Sequence, residues 1–432
     1  MHECVQKAFN VIDGFLSGFK GSRNDELSLY KIYIKQNLLN EIGDILLELP
    51  YLGEKIVVVS DENTYNVAAY RICKALSIKK ITSVILPANV KPTMDVVHKL
   101  QKRIQGMHSL IGVGSGTIND LCKYICYLEK KPYILFATAP SMNGYCSANV
   151  SIIVDGYKQS LIATLPTVIM CDLDILSKAP LRLIQSGIGD SLCRSTCQAD
   201  WLMSHLLFNT TYSKIPFEWI QGLELILWDN IEEVINGSVE LIQILMLILI
   251  LSGIGMYMAK GSYPASQGEH LIAHLLELKY PHNYHGEQIA VTTIFMAELQ
   301  EYLLNKDKIT IYPDNIHETD IKKRFGKKLG KKYFAEINDK FLSSVQAEKV
   351  QSNIKMKWYD IKDTIRKNYI CSIRLKKILS NAKMADNYKT IGWKYNDYTD
   401  AILYSAFIRN RITFLDLARY SRCLEEFVRK IL

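Results

Sequence analysis

Leu110-Ile111-Gly112-Val113-Gly114-Ser115-Gly116-Thr117-Ile118-Asn119-Asp120 is an apolar run that breaks into glycines and resumes as helix-compatible sequence. It reads as a strand at 110–112, a tight loop, and a helix at 119–128. Glycines there let backbone approach a pyrophosphate, and the amino end of the helix offers unbonded N–H groups to it. The spacing is not Gly-x-Gly-x-x-Gly, so a plain tight turn competes with that reading at this stage.

Working outward, residues 55–60 (KIVVVS), 82–86 and 133–137 read as further short strands, with helices at 68–76 and 95–103 between them. Strands alternating with helices predict a parallel sheet with helices on both faces. The strand at 133–137 ends in Thr138-Ala139-Pro140-Ser141, a second polar loop on the carboxyl edge of the same sheet. Two such loops on one edge favour a bound dinucleotide. After Asp174 apolar residues recur at helical spacing to the end of the chain, at 181–207, 218–260, 270–278 and 287–304 among others. The expected division is an α/β nucleotide-binding domain over 1–178 and an all-helical metal- and substrate-binding domain over 179–432.

The 432 residues exceed one ordinary core, which agrees with two domains. Apolar content of 48% and charged content of 22% are those of a globular protein. A net charge of +8 on this length suits a phosphorylated small substrate and does not call for nucleic acid. The ten cysteines follow no framework, and no Cys-x-x-Cys occurs. They read as reduced core thiols of a cytoplasmic protein. No signal peptide is expected, because residues 1–15 are mixed and polar. The run at 241–258 is about the minimum length for a bilayer span. It leads straight into Gly261-Ser262-Tyr263-Pro264, so a buried helix within the helical domain is expected and a membrane span is not. The basic run at 322–332 reads as a solvated face.

His270 and His274 lie four apart on one helical face, and His285 follows at a turn before Gly286-Glu287. Asp190 comes after Gly187 and Gly189. One carboxylate and two imidazoles can hold a divalent metal and leave a position open for substrate. Satisfied histidines and a helix-capping aspartate are the competing reading.

Several motifs occur in order: Gly114-Ser115-Gly116-Thr117-Ile118-Asn119-Asp120, Ala137-Thr138-Ala139-Pro140-Ser141-Met142-Asn143-Gly144-Tyr145, Val154-Asp155-Gly156, Gly187-Ile188-Gly189-Asp190, Pro264-Ala265-Ser266, Glu269-His270 with His274, and His285-Gly286-Glu287-Gln288. Over about residues 55–291 the chain resembles the sn-glycerol-1-phosphate dehydrogenases of the iron-containing alcohol dehydrogenase, glycerol dehydrogenase and dehydroquinate synthase group. The resemblance implies the dehydroquinate synthase-like two-domain architecture with a cleft. It implies Asp190, His270 and His285 as ligands of one divalent ion (Zn, Ni or Fe), with Asp190 also at the substrate. It implies His274 and Asn143 as catalytic, substrate-contacting residues. Gly116, Thr117, Ile118, Asn119, Asp120, Thr138, Ala139, Pro140, Ser141 and Ser147 are the implied NAD or NADP contacts.

The implied reaction is the reversible reduction of dihydroxyacetone phosphate to sn-glycerol 1-phosphate, in a homo-oligomer. Two positions depart from the pattern: Asn143 stands where Asp is usual, and Tyr263 where Arg is expected. Arg194 and Lys158 are candidates to supply the missing positive charge, and Asp61, ending the first of these strands, to disfavour a 2′-phosphate. A relative acting on another polyol, a lyase of the dehydroquinate synthase kind and a catalytically degenerate descendant remain as alternatives.

Overall fold

The β-branched runs form β1 (Lys31–Lys35), β2 (Lys55–Asp61), β3 (Lys80–Leu86), β4 (Ser109–Gly114), β5 (Tyr133–Ala137), the pair β6 (Asn149–Val154) and β7 (Tyr157–Ile162), and β8 (Val168–Asp172). This computed structural model describes residues 1–18 and 29–432. Six strands make one sheet in the order β1-β8-β5-β4-β2-β3, and every neighbouring pair is parallel. The strands expected at 55–60, 82–86, 110–112 and 133–137 are β2, β3, β4 and β5. The edge strand β1 and the interior strand β8 were not foreseen.

Side chains alternate across a strand, and here both alternating sets are buried. Ile56, Val58, Ile111, Val113, Ile134, Phe136, Val168 and Met170 share one core cluster with Leu38, Leu46, Ala68 and Ile72. Val57, Val59, Leu110, Leu135 and Ile169 point to the other face and are equally buried. A Cβ on Gly112 would lie 3.1 Å from Sγ of Cys122, on the Gly116–Glu129 helix. Helices therefore cover both faces, as a parallel sheet requires. The antiparallel β6–β7 pair turns at Asp155 and Gly156, both with positive φ (52° and 81°), a two-residue hairpin turn.

The chain forms two compact units, Met1–Ser191 with Glu218–Lys260, and Leu192–Phe217 with Gly261–Leu432. The apolar helix Val239–Met258 thus belongs with the sheet, whereas sequence analysis assigned it to the helical half. It is long and apolar enough to cross a membrane by length and composition, and 78% of its most apolar stretch is buried. A Cβ on Gly253 of this helix would come within 2.9 Å of the Asn143 carbonyl oxygen, so the missing side chain admits the Asn143–Cys146 turn.

The second unit is helical. Its main core gathers Leu202, Met203, Ile272, Leu276, Phe295, Leu299, Trp358, Phe414 and Phe427 from successive helices. Asp200 ties three of its segments together. It accepts bonds from the backbone N–H of Gly268 (3.0 Å) and Phe414 (2.8 Å) and from Nε2 of Gln300 (3.2 Å). That carboxylate fixes where the Gly268–Leu276 helix begins.

Candidate functional site

In the first unit the carboxyl ends of β2, β4 and β5 carry the candidate nucleotide loops. The neighbours of β2 in the sheet, β3 and β4, follow it in sequence on opposite sides, so the strand order reverses there. Such a reversal opens a crevice at the strand ends. Ser115 precedes the Gly116–Glu129 helix and makes no side-chain cap. The backbone N–H groups of Gly116, Thr117 and Ile118 open that helix, while Asn119 N already bonds the Ser115 carbonyl at 2.9 Å. Thr64 Oγ1 donates to the Val113 carbonyl (2.9 Å) and joins the β2 and β4 loops. Asp61 caps its own turn through Thr64 N at 2.8 Å.

Thr138 N donates to the Gly114 carbonyl (3.2 Å), and Tyr145 Oη donates to the Ala139 carbonyl (2.7 Å). Ser186 Oγ donates to the Ser141 carbonyl (3.0 Å). A Cβ on Gly187 would sit 1.7 Å from the Pro140 carbonyl oxygen, so only glycine lets the Leu181–Leu192 helix meet this loop. Ser147 Oγ donates to the Gly144 carbonyl (3.0 Å). Asp120 accepts from Ser151 N (3.0 Å) and Asn119 Nδ2 (3.0 Å), which ties the helix to β6. Gly116, Thr117 and Ile118 therefore offer backbone, whereas Asn119 and Asp120 hold the loop in shape.

Lys123 is fully buried, and its Nζ donates to the carbonyls of Gly144 (2.7 Å) and Ser147 (3.0 Å). Burial lowers its pKa from 10.5 to about 8, against the opposing charge of Asp120. The unfolded chain keeps this lysine protonated up to its ordinary value, so between those limits it binds more protons than the folded chain. Stability then rises with pH by up to about 1.4 kcal/mol per unit, and the gain is lost as pH falls through about 8. Lys123→Met is expected to remove this rise, seen as urea midpoints compared at pH 7.5 and 10. An unchanged slope in the variant would refute the assignment.

Asp190 is buried in the same unit and accepts the backbone N–H of Asn143 at 2.7 Å. The Asn143 side-chain Nδ2 is buried with no hydrogen-bond partner among the described residues. A buried amide donor left open in this way is suited to a ligand oxygen.

In the second unit His270, His274 and His285 come together. Ring centroids are 5.2 Å apart for His270 and His285, 5.9 Å for His270 and His274, and 6.2 Å for His274 and His285. His270 Nδ1 meets Glu269 Oε1 at 2.9 Å, and His285 Nδ1 meets Glu277 Oε1. With each Nδ1 held by a carboxylate, Nε2 is the nitrogen each ring offers to a metal. Glu269 is fully buried and also accepts from Gln267 N (2.6 Å), Thr196 Oγ1 (3.1 Å) and Cys197 Sγ (3.1 Å). Burial raises its pKa, but the His270 ring and these donors outweigh that and hold it below the ordinary carboxylate value. Sequence analysis missed both carboxylates. Cys193 also lies close to Glu269 and His270, but Nδ1 of His270 is engaged by Glu269 and Cys193 Sγ donates to the Ala265 carbonyl at 3.7 Å. The donor chemistry and the fixed rings fit a divalent cation.

Of the residues weighed for positive charge, Arg194 starts a new helix after a break at Cys193, so it does not share a helix with Asp190. It donates to Gln198 Oε1 at 3.0 Å. Lys158 lies on β7, where its charge acts on Asp120.

Comparison with known proteins gives the family. The family model of iron-containing alcohol dehydrogenases matches residues 33–180. The chain is 33% identical to a glycerol-1-phosphate dehydrogenase [NAD(P)+] from Staphylothermus marinus, over 62% of this chain and 77% of that protein. It is 28% identical to the protein of that name from Geobacillus thermodenitrificans, over 65% and 72%. Among solved structures, glycerol dehydrogenase from Schizosaccharomyces pombe superposes with a TM-score of 0.60 at 16% identity, covering 93% of this chain and 90% of that one. Maleylacetate reductase from Agrobacterium tumefaciens gives 0.59 at 12%, covering 91% and 96%. These last two share the fold. Together with the ordered motifs and the carboxylate-held imidazoles, the sequence relatives establish that the chain belongs to the glycerol-1-phosphate dehydrogenase family, among the iron-containing alcohol dehydrogenases.

Proposed function

We propose that this protein reduces dihydroxyacetone phosphate to sn-glycerol 1-phosphate, reversibly, with NADH or NADPH and one divalent metal ion. The observation that carries the reading is the group of imidazoles whose Nδ1 atoms are held by Glu269 and Glu277. Two rings fixed in this way, His270 and His285, would hold the cation with Asp190 as third ligand, leaving a position for substrate. A cation held there supplies Lewis-acid stabilisation of a carbonyl oxygen that gains charge as hydride arrives. The nicotinamide carries the hydride chemistry; the protein orients it. The helix-opening N–H groups at Gly116 to Ile118, with the Thr138 to Ser141 loop, bind the pyrophosphate. The open Nδ2 of Asn143 donates to a substrate oxygen, and His274 passes the proton to the new hydroxyl.

Asn143 in place of Asp keeps hydrogen bonding but removes a base, which leaves His274 as the proton carrier. The absence of disulfides among the ten cysteines suits a cytoplasmic setting, and a homo-oligomer is part of the same reading. The test is reduced-nicotinamide consumption with dihydroxyacetone phosphate, before and after stripping with a chelator, then with Zn, Ni or Fe restored. Activity that falls on stripping and returns with one of these ions is expected. Undiminished activity in metal-free protein would overturn the reading.

A further inference from the structure

Arg409 and Arg411 lie in the segment before the Phe414–Tyr420 helix, both half-buried. Neither forms an ion pair with a carboxylate among the described residues. Arg411 lies over the ring of Tyr263, 4.7 Å from its centroid, and Tyr263 stacks on Trp201 at 5.6 Å. One guanidinium nitrogen of Arg411 donates to Ser262 Oγ at 3.1 Å and another to the Ser266 carbonyl. A Cβ on Gly261 would meet the Tyr263 ring at 2.7 Å, so the glycine keeps room for this stack. A guanidinium has five donors in a planar fork, so after these two bonds most of its capacity remains. Two guanidinium groups partly removed from water, with no carboxylate ion pair among the described residues, repel one another. Burial, and next the charge of Arg409, lower the Arg411 pKa to about 10. The acid whose field acts most on Arg409 is Glu336, with Glu277 weaker, and Glu269 acts weakly on Arg411. Glu269 and Glu277 are also the carboxylates that hold His270 and His285.

We propose that Arg411, with Arg409, binds the phosphate of the substrate, and that the guanidinium stacked on Tyr263 supplies the positive charge that the chain lacks at position 263. A phosphate dianion takes up both unpaired charges and accepts a bidentate fork, the geometry arginine serves best. The proposal rests on the reading of the substrate given above and adds where its anionic end is held.

The test compares dihydroxyacetone phosphate with dihydroxyacetone, which keeps the carbonyl and lacks the phosphate, and measures binding of inorganic phosphate by calorimetry. Arg411→Gln is expected to raise KM for dihydroxyacetone phosphate roughly 50-fold and to weaken phosphate binding at least about 10-fold. Its kcat/KM on dihydroxyacetone should stay within about threefold of the parent. Arg411→Lys should recover part of the loss. If Arg411→Gln does not fold, Arg409→Gln decides, since the Arg409 side chain makes no hydrogen bond among the described residues that its loss would break. Unchanged KM and phosphate affinity, or equal losses on both substrates in a folded variant, would overturn the proposal. Should the parent fail to reduce dihydroxyacetone phosphate, the functional reading falls while the phosphate titrations still judge the arginine pair.

Discussion

His270→Ala is expected to lower kcat/KM for dihydroxyacetone phosphate by about 10³-fold or more, with metal content falling from one ion per chain to near zero. The size follows from the ring's position. Its Nδ1 is committed to a buried carboxylate, so Nε2 is aimed by the fold and cannot be replaced by solvent at equal strength. Alanine also leaves Glu269 without one of its partners, but Gln267 N, Thr196 and Cys197 still bond it, so the helix should survive. Elemental analysis and far-ultraviolet circular dichroism on the same sample check both halves. Retained activity at normal metal content would remove the foundation of the proposed chemistry.

The largest expected effect on stability is at Asp200. Replacing it by Ala leaves two backbone N–H groups and the Gln300 amide without their acceptor inside the core of the second unit. Burial, and next the charge of Glu269, raise the Asp200 pKa to about 8. Its worth at neutral pH therefore lies in the acceptors it offers, and leaving three buried donors unpaired costs about 3–5 kcal/mol in all. The midpoint of thermal unfolding should fall by about 10 °C in a unit of this size. Scanning calorimetry reads this directly, and a loss under about 1 kcal/mol would show that Asp200 is not the anchor described. Because Gly268 N is one of the three donors, the same change should loosen the start of the histidine helix and weaken metal retention.

The nucleotide edge was legible because it is local: a β-branched run, glycines and a helix follow one another between 110 and 128, and the structure adds only exact ends. The histidines were legible because a spacing of four places two rings on one helical face. Their carboxylate supports were not. Neighbouring residues on a helix do not normally face one another, so adjacency gave no reason to pair Glu269 with His270. The pairing arises in the first turn, where Glu269 also accepts from Gln267 N. Arg411 reaches Ser262 across 149 residues, a closeness that no local pattern encodes. The helix Val239–Met258 is apolar on every side, so periodicity identifies it as buried but does not say with which partners. The sheet-bearing unit claims it.

The route of the backbone has a consequence for synthesis on the ribosome. The chain enters the helical unit at Leu192, returns to the sheet for Glu218–Lys260, and leaves again at Gly261. The α/β half therefore cannot close when its last strand emerges; its apolar seat stays open until Met258 has been made, some 86 residues after the end of β8 at Asp172. A nascent chain halted between those points carries a greasy, unsealed surface, and for that interval it is open to aggregation.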